Sequence, residues 1–156
     1  MKMYTRFLSV VAATLFITTL IASCGGGGGD GYTAPAPAPL NATTLKNNGY
    51  YFNVHTGACL AGEIRGQIDP VGTTGQETIS TTLTSAAEVP LCGPGTGLGT
   101  GTLVVNLDTG AVISASITAT SGLSGAVTEA HIHEGAAGVI GPIRITLNVG
   151  GGVITY

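Results

Sequence analysis

The chain has 156 residues, with eight Asp and Glu against five Lys and Arg and a formal net charge of −3. Charged residues make up 8%, against about 25% in an ordinary soluble domain. That excludes the clustered basic face of a nucleic-acid binder and the Glu-, Lys- and Leu-rich spacing of a coiled coil or helical bundle; the 26 glycines follow no Gly-X-Y period, so collagen is excluded too.

The chain opens with Lys2 and Arg6, then an uncharged apolar stretch over residues 7–20, then Ile21, Ala22, Ser23 and Cys24. A basic start, an apolar run and small residues before a cut make a signal peptide over residues 1–23. The run is shorter than the roughly 20 residues of a spanning helix. Its ending, Leu20-Ile21-Ala22-Ser23-Cys24, resembles a bacterial lipobox. The resemblance implies cleavage before Cys24, lipidation of its thiol and acylation of the new amine. Residues 24–39 then read as a tether. The glycines at 25–29 are flexible, and the Ala/Pro alternation at 34–39 is a stiffer spacer. The expected location is the bacterial cell envelope, with the membrane as partner through the lipid. Gly25 rather than Asp after Cys24 implies, by analogy with Gram-negative sorting, the outer membrane. Without Lys2 and Arg6, three basic residues face eight acidic ones.

Residues 40–156 are one domain by size. Residues 40–47 have room for one helical turn, which we expect to be too short to matter. Period-two alternation then predicts strands. Residues 50–56 put Tyr50, Phe52 and Val54 on one face and Tyr51, Asn53 and His55 on the other. Residues 63–68 put Ile64 and Ile68 against Glu63, Arg65 and Gln67, and residues 78–84 align Ile79, Thr81 and Leu83. The glycine-rich stretch 93–101 reads as a long loop. Residues 102–107, a turn at Asp108-Thr109-Gly110 and residues 111–120 form the clearest hairpin, with Ile113, Ala115, Ile117 and Ala119 aligned. Residues 121–125 are a turn, and residues 127–133 and 142–148 are further strands, the last aligning Ile143, Ile145 and Leu147. The fold class is all-β: an antiparallel, Greek-key-like sandwich or barrel of about seven or eight short strands. With Cys24 lipidated, Cys59 and Cys92 remain, and an even pair in an exported chain reads as a disulfide. Neither has the CxxC partner of a thiol metal site.

Several stretches together are similar to the CHRD domain, a module named after chordin and common in bacterial exported proteins. They are Leu83-Thr84-Ser85-Ala86-Ala87-Glu88-Val89-Pro90, Asp108-Thr109-Gly110, the Gly-Leu-Ser-Gly turn from Gly122 to Gly125, and Ala130-His131-Ile132-His133 with Gly141-Pro142 after it. Asn53-Val54-His55-Thr56 and Gly62-Glu63-Ile64-Arg65-Gly66-Gln67 complete the set. In the family the Asn-Val-His-Thr half comes last; here it comes first. The chain is then a circular permutant, which is slightly favoured, or two half-domains at 40–69 and 77–156 from tandem copies, or the product of a truncated gene. In the first reading, residues 153–156 supply a terminal strand.

All three histidines lie within these motifs. His131 and His133 are two apart on a strand and share a face; His55 lies on the face opposite Phe52 and Val54. If the two strands are neighbours, three imidazoles converge as a ligand set for copper or zinc, with Glu129 as a ligand or supporting partner. The reading set against this, and favoured, is a hydrogen-bonded polar layer of the histidines with Glu63, Arg65 and Gln67, anchored by Arg65 pairing with Glu63 or Glu129. No Gly-x-Ser-x-Gly elbow and no phosphate loop occurs, so an enzyme is not expected. The expected function is a lipid-anchored, non-catalytic binding or structural module with an envelope protein or ligand as partner. The alternative is a copper- or zinc-binding envelope protein, with redox activity as its extension.

Overall fold

The computed structural model describes residues 38–150 and 153–156. The lipidation site Cys24 and the signal and tether segments before residue 38 lie outside the described residues. The eight strands are β1 (Tyr50–Thr56), β2 (Ile64–Ile68), β3 (Gln76–Thr84), β4 (Leu98–Asn106), β5 (Val112–Ser121), β6 (Val127–Glu134), β7 (Ile143–Gly150) and β8 (Val153–Thr155). They close into one antiparallel barrel in the order β1-β2-β3-β4-β5-β8-β7-β6, with β6 pairing back onto β1. The last four strands form a Greek key. β6, β7 and β8 follow one another as neighbours, and β8 returns to lie beside β5. Of the sandwich and the barrel, the chain forms the barrel, which leaves the sheet without an open side.

Alternation carries the core. Phe52 and Val54 of β1, Ile64 and Ile68 of β2, Leu83 of β3, Leu103 and Val105 of β4, Ile117 of β5 and Ile132 of β6 are all fully buried. They meet in one hydrophobic cluster with Ile145, Leu147 and Ile154. The short terminal strand β8 belongs to this closure. It pairs with β5 at Ser116 and Ile117 and with β7 at residues 148–150. The motif-bearing segments 50–68 and 78–147 therefore lie side by side in one barrel.

Four local expectations are corrected. Residues 98–101 belong to β4 rather than to a loop. Gly99 and Gly101 alternate inward there, and a Cβ on Gly101 would lie 2.6 Å from Phe52 Cδ2. The glycine makes room for an aromatic ring, and that space requirement overrides its poor strand propensity. Ile113 and Ile143 are half exposed rather than inward. A register shift at Val104/Val105 displaces Ile113, and one at Ile132/His133 displaces Ile143; each bulge turns one residue to the other face. The helical turn does matter. Asn41 Oδ1 caps the helix α1 (Ala42–Lys46) by accepting from Thr44 N. Leu40 and Leu45 enter the core cluster beside it, and Leu40 N–H donates to Gly110 of the β4–β5 turn.

The barrel wall is not uniform. β1 is buried along its whole length, on both faces, whereas the outward positions of β4 and β7 stay partly or fully exposed. Residues of the connections at 57–63, 85–93 and 135–141 touch the outer faces of β1 and β2, and Ser124 of the 122–125 turn bonds to Glu63 just before β2. Under that cover lies the polar face of the two family-like motifs.

Candidate metal centre

His55 comes from β1, and His131 and His133 come from β6. These strands are antiparallel neighbours, with Tyr51 opposite His133, Asn53 opposite His131 and His55 opposite Glu129. The outward faces of both strands therefore interleave their side chains in one layer. All three histidines are buried, at 7%, 4% and 8% exposure. One ring nitrogen from each lies within 4.8 Å of the others. The expected convergence is met.

The hydrogen bonds fix which nitrogens are free. His55 Nδ1 sits 2.9 Å from the Leu60 carbonyl and His133 Nδ1 sits 2.9 Å from the Gly141 carbonyl. A carbonyl only accepts, so both Nδ1 atoms carry the proton and both Nε2 atoms present lone pairs. His55 Nε2 lies 3.1 Å from His131 Nδ1, which donates to it. His133 Nε2 is buried and has no hydrogen-bond partner. Backbone carbonyls orienting imidazoles whose other nitrogen is bare are the supporting arrangement that metal sites use.

The electrostatics favour the neutral form of His131 and His133. Burial first, then the neighbouring His55 and His133 rings, hold the His131 imidazole below its ordinary 6.5, against the opposing pull of Glu129. Burial likewise lowers His133; the Gly141 carbonyl opposes this, and His55 and Arg65 add to it. Glu129 is largely exposed, with Oε2 4.0 Å from His131 Nε2. It stands at the rim, outside the three-histidine group.

Glu63, Arg65 and Gln67 take other partners than those expected, and among the described residues none of them hydrogen-bonds to a histidine. Arg65 pairs with neither Glu63 nor Glu129. Its guanidinium donates to the Val139 and Ala136 carbonyls at 2.9 and 2.8 Å and lies 3.3 Å over the Tyr51 ring. Tyr51 in turn stacks on His133 with centroids 5.0 Å apart, and its hydroxyl accepts from Gly141 N. Arg65 thus holds the same 135–141 loop whose Gly141 carbonyl orients His133. Loop carbonyls take the place of a carboxylate because Glu63 is engaged elsewhere. Glu63 accepts from Thr56 Oγ1 and from both the backbone N–H and the hydroxyl of Ser124. Burial alone would push its carboxyl up, but these bonds outweigh it and leave Glu63 below the ordinary 4.5. Gln67 donates to the Asn48 and Gly135 carbonyls.

Cys59 and Cys92 form the expected disulfide, with Cα atoms 5.8 Å apart. Cys59 is the only buried residue of 57–61. It pins the turn whose Leu60 carbonyl orients His55.

Sequence reasoning missed three residues here. Tyr51 was read only as part of an alternation. Asn53 enters the same alternation and a motif, and Glu88 a motif, neither with a role of its own, yet both are buried beside the site. Glu88 Oε1 accepts from Val89 N and from Asn53 Nδ2, while Glu88 Oε2 and Asn53 Oδ1 have no partner. Gly62, at φ +124°, packs against both, and a Cβ there would lie 2.4 Å from Asn53 Oδ1. The available signal was that both residues sit inside recurring motif stretches.

These features define a class: a small closed β-barrel with a buried histidine layer on its outer wall, held by motif-bearing loops. The CHRD domain family model matches residues 12–68 and 79–154, and the chain belongs to that family. No curated protein and no solved structure matches it.

Proposed function

We propose that this chain is a lipid-anchored, non-catalytic CHRD module of the bacterial cell envelope that binds a copper or zinc ion through His55, His131 and His133. One observation carries the metal reading. His133 Nε2 is buried and bare while its Nδ1 is fixed on a backbone carbonyl. A buried acceptor without a partner costs about 1–3 kcal/mol, and a cation drawn from this ligand set removes that cost. The group as a whole offers imidazole donors, which suit copper and zinc. Glu129 is placed to accept from His131 Nε2–H once His131 Nδ1 turns to the metal.

The second reading is a purely architectural layer. It is favoured by the His131–His55 hydrogen bond, which satisfies two of the rings without a metal. Calorimetric titration with Cu(II) and Zn(II) separates the two, alongside His131→Ala/His133→Ala. One-to-one binding that the variant loses supports the metal reading. No binding by a folded protein leaves the histidines as architecture.

The anchor rests on the lipobox-like ending Leu20-Ile21-Ala22-Ser23-Cys24 and the Gly/Pro-rich tether after it. Gly25 favours the outer membrane where the host is Gram-negative. Metabolic labelling with a tagged fatty acid tests it: Cys24→Ala should lose both the label and the membrane fraction, and an unchanged fraction refutes lipidation. For the order of the motifs we favour the permutant, because both segments share one closed barrel.

A further inference from the structure

We infer that the three-histidine centre selects monovalent copper over divalent ions, and that Arg65 sets this preference; the inference rests on the metal-binding reading above. The argument starts from charge. The three ligands are imidazoles, so the donor set brings no negative charge. Among the described residues no fourth His, Cys or carboxylate joins the group. The carboxylates nearby are turned to other duties. Glu63 is saturated by Thr56 and Ser124, Glu88 has its Oε1 on Val89 and Asn53 and its Oε2 buried without a partner, outside the histidine group, and Glu129 lies out at the solvent rim. On the His133 side the charge that faces the rings is positive, whereas the Glu88 carboxylate faces His55 and Arg65. Arg65 is 2% exposed, is permanently protonated, and lies against the Tyr51 ring that stacks on His133.

The cost of bringing an ion into such a place grows with the square of its charge, so a divalent ion faces roughly four times the desolvation penalty of a monovalent one. Repulsion from a fixed guanidinium also doubles with the ion's charge. Coordination number points the same way. Zn(II) in closed sites takes four ligands, whereas Cu(I) is content with three in a plane. Here His133 Nε2 is shut off from solvent, which leaves a fourth water ligand little access. Imidazole suits copper as well as zinc, so charge and coordination number decide between them.

The test uses the full chain purified in detergent under anaerobic conditions. Cu(I) is titrated against a bicinchoninate competitor and Zn(II) against a chelating dye. The expected result is one-to-one Cu(I) binding at least 100-fold tighter than Zn(II). In Arg65→Met the Cu(I)/Zn(II) ratio should fall at least tenfold, and in Arg65→Lys, which keeps the charge, it should be retained. Loss of loop anchoring alone would weaken both ions together and leave the ratio unchanged, which would overturn the role given to Arg65. Zn(II) binding as tightly as Cu(I) in the wild type would overturn the selectivity whether or not the variants fold. No binding of either ion would overturn the metal reading beneath it.

Discussion

His55 and His131 meet edge to face across the β1–β6 pair, with His55 Nε2 3.1 Å from His131 Nδ1. Because His55 Nδ1 is already committed to the Leu60 carbonyl, the proton in this contact belongs to His131. A metal ion held by both rings, as proposed, would take the place of that one proton, which His131 would then carry on Nε2, on the Glu129 side. The three rings of the proposed metal site are thus already gathered within reach of one another without an ion.

Removing one ligand should therefore cost affinity rather than fold. His133→Ala deletes the bare nitrogen but no hydrogen-bonded pair inside the ring cluster. We expect metal affinity to fall by at least 100-fold while the far-ultraviolet circular dichroism stays that of the barrel. Metal at 100 times its Kd should stabilise the wild type by about 2.7 kcal/mol and leave the variant's melting temperature unmoved. Differential scanning fluorimetry with and without metal checks this.

The pH response has a defined sign. His131 and His133 are held below their ordinary 6.5, chiefly by burial. Between the folded and unfolded values the unfolded chain binds more protons, so stability rises with pH there and is lost as pH falls. The metal-free protein should melt at a constant temperature above about pH 7 and at a falling one below about 6.5. Glu63, held low by Thr56 and Ser124, adds a second loss below about pH 4.5. In His131→Ala/His133→Ala the upper step should shrink and the lower one persist. Thermal melts in half-unit pH steps resolve the two.

Much of this was legible in the sequence. The alternation of Tyr50, Phe52 and Val54 against Tyr51, Asn53 and His55 gives both the strand and its inward face, since only the barrel interior can take three large apolar side chains in register. The disulfide followed from Cys59 and Cys92 as a lone pair in an exported chain. What period two could not carry was the burial of the outward face of β1. That depends on loops such as 135–141, which reach it through Arg65 and Tyr51 from a distant part of the chain. The bulges that expose Ile113 and Ile143 were hidden for a related reason: an extra residue in a strand leaves the local composition unchanged.

Gly101 offers a test of the barrel interior away from the histidines. A Cβ at this position would stand 2.6 Å from Cδ2 and 2.8 Å from Cε2 of Phe52 and 3.1 Å from Leu83 Cδ1. Phe52 is fully buried and has no free direction in which to withdraw. Gly101→Ala should therefore destabilise by about 1–3 kcal/mol, the usual cost of overpacking a core. The companion Gly101→Ala/Phe52→Leu should recover part of the loss by vacating the ring's volume. Urea unfolding of the three proteins measures both.

The disulfide should act on stability and on the site together. Cys59 and Cys92 are 33 residues apart, and closing a loop of that length contributes about 3–4 kcal/mol in the chain-entropy model. The proposed metal site enters because Leu60 follows Cys59 directly, and its carbonyl holds His55 in the tautomer that leaves Nε2 unprotonated. Residues 57, 58, 60 and 61 are all exposed, so Cys59 is the turn's side-chain anchor. The turn does keep its own backbone bonds, Cys59 N to Thr56 O and Gly62 N to Cys59 O; these limit the loosening. Cys59→Ala/Cys92→Ala avoids new thiol ligands and should bind metal about tenfold more weakly at a temperature where it is still folded. Thiol labelling of the native wild type should find neither Cys59 nor Cys92 until a reductant is added. An affinity equal to that of the wild type, in a double variant of lowered melting temperature, would confine the disulfide to stability and show that local backbone bonds are enough to hold Leu60 in place.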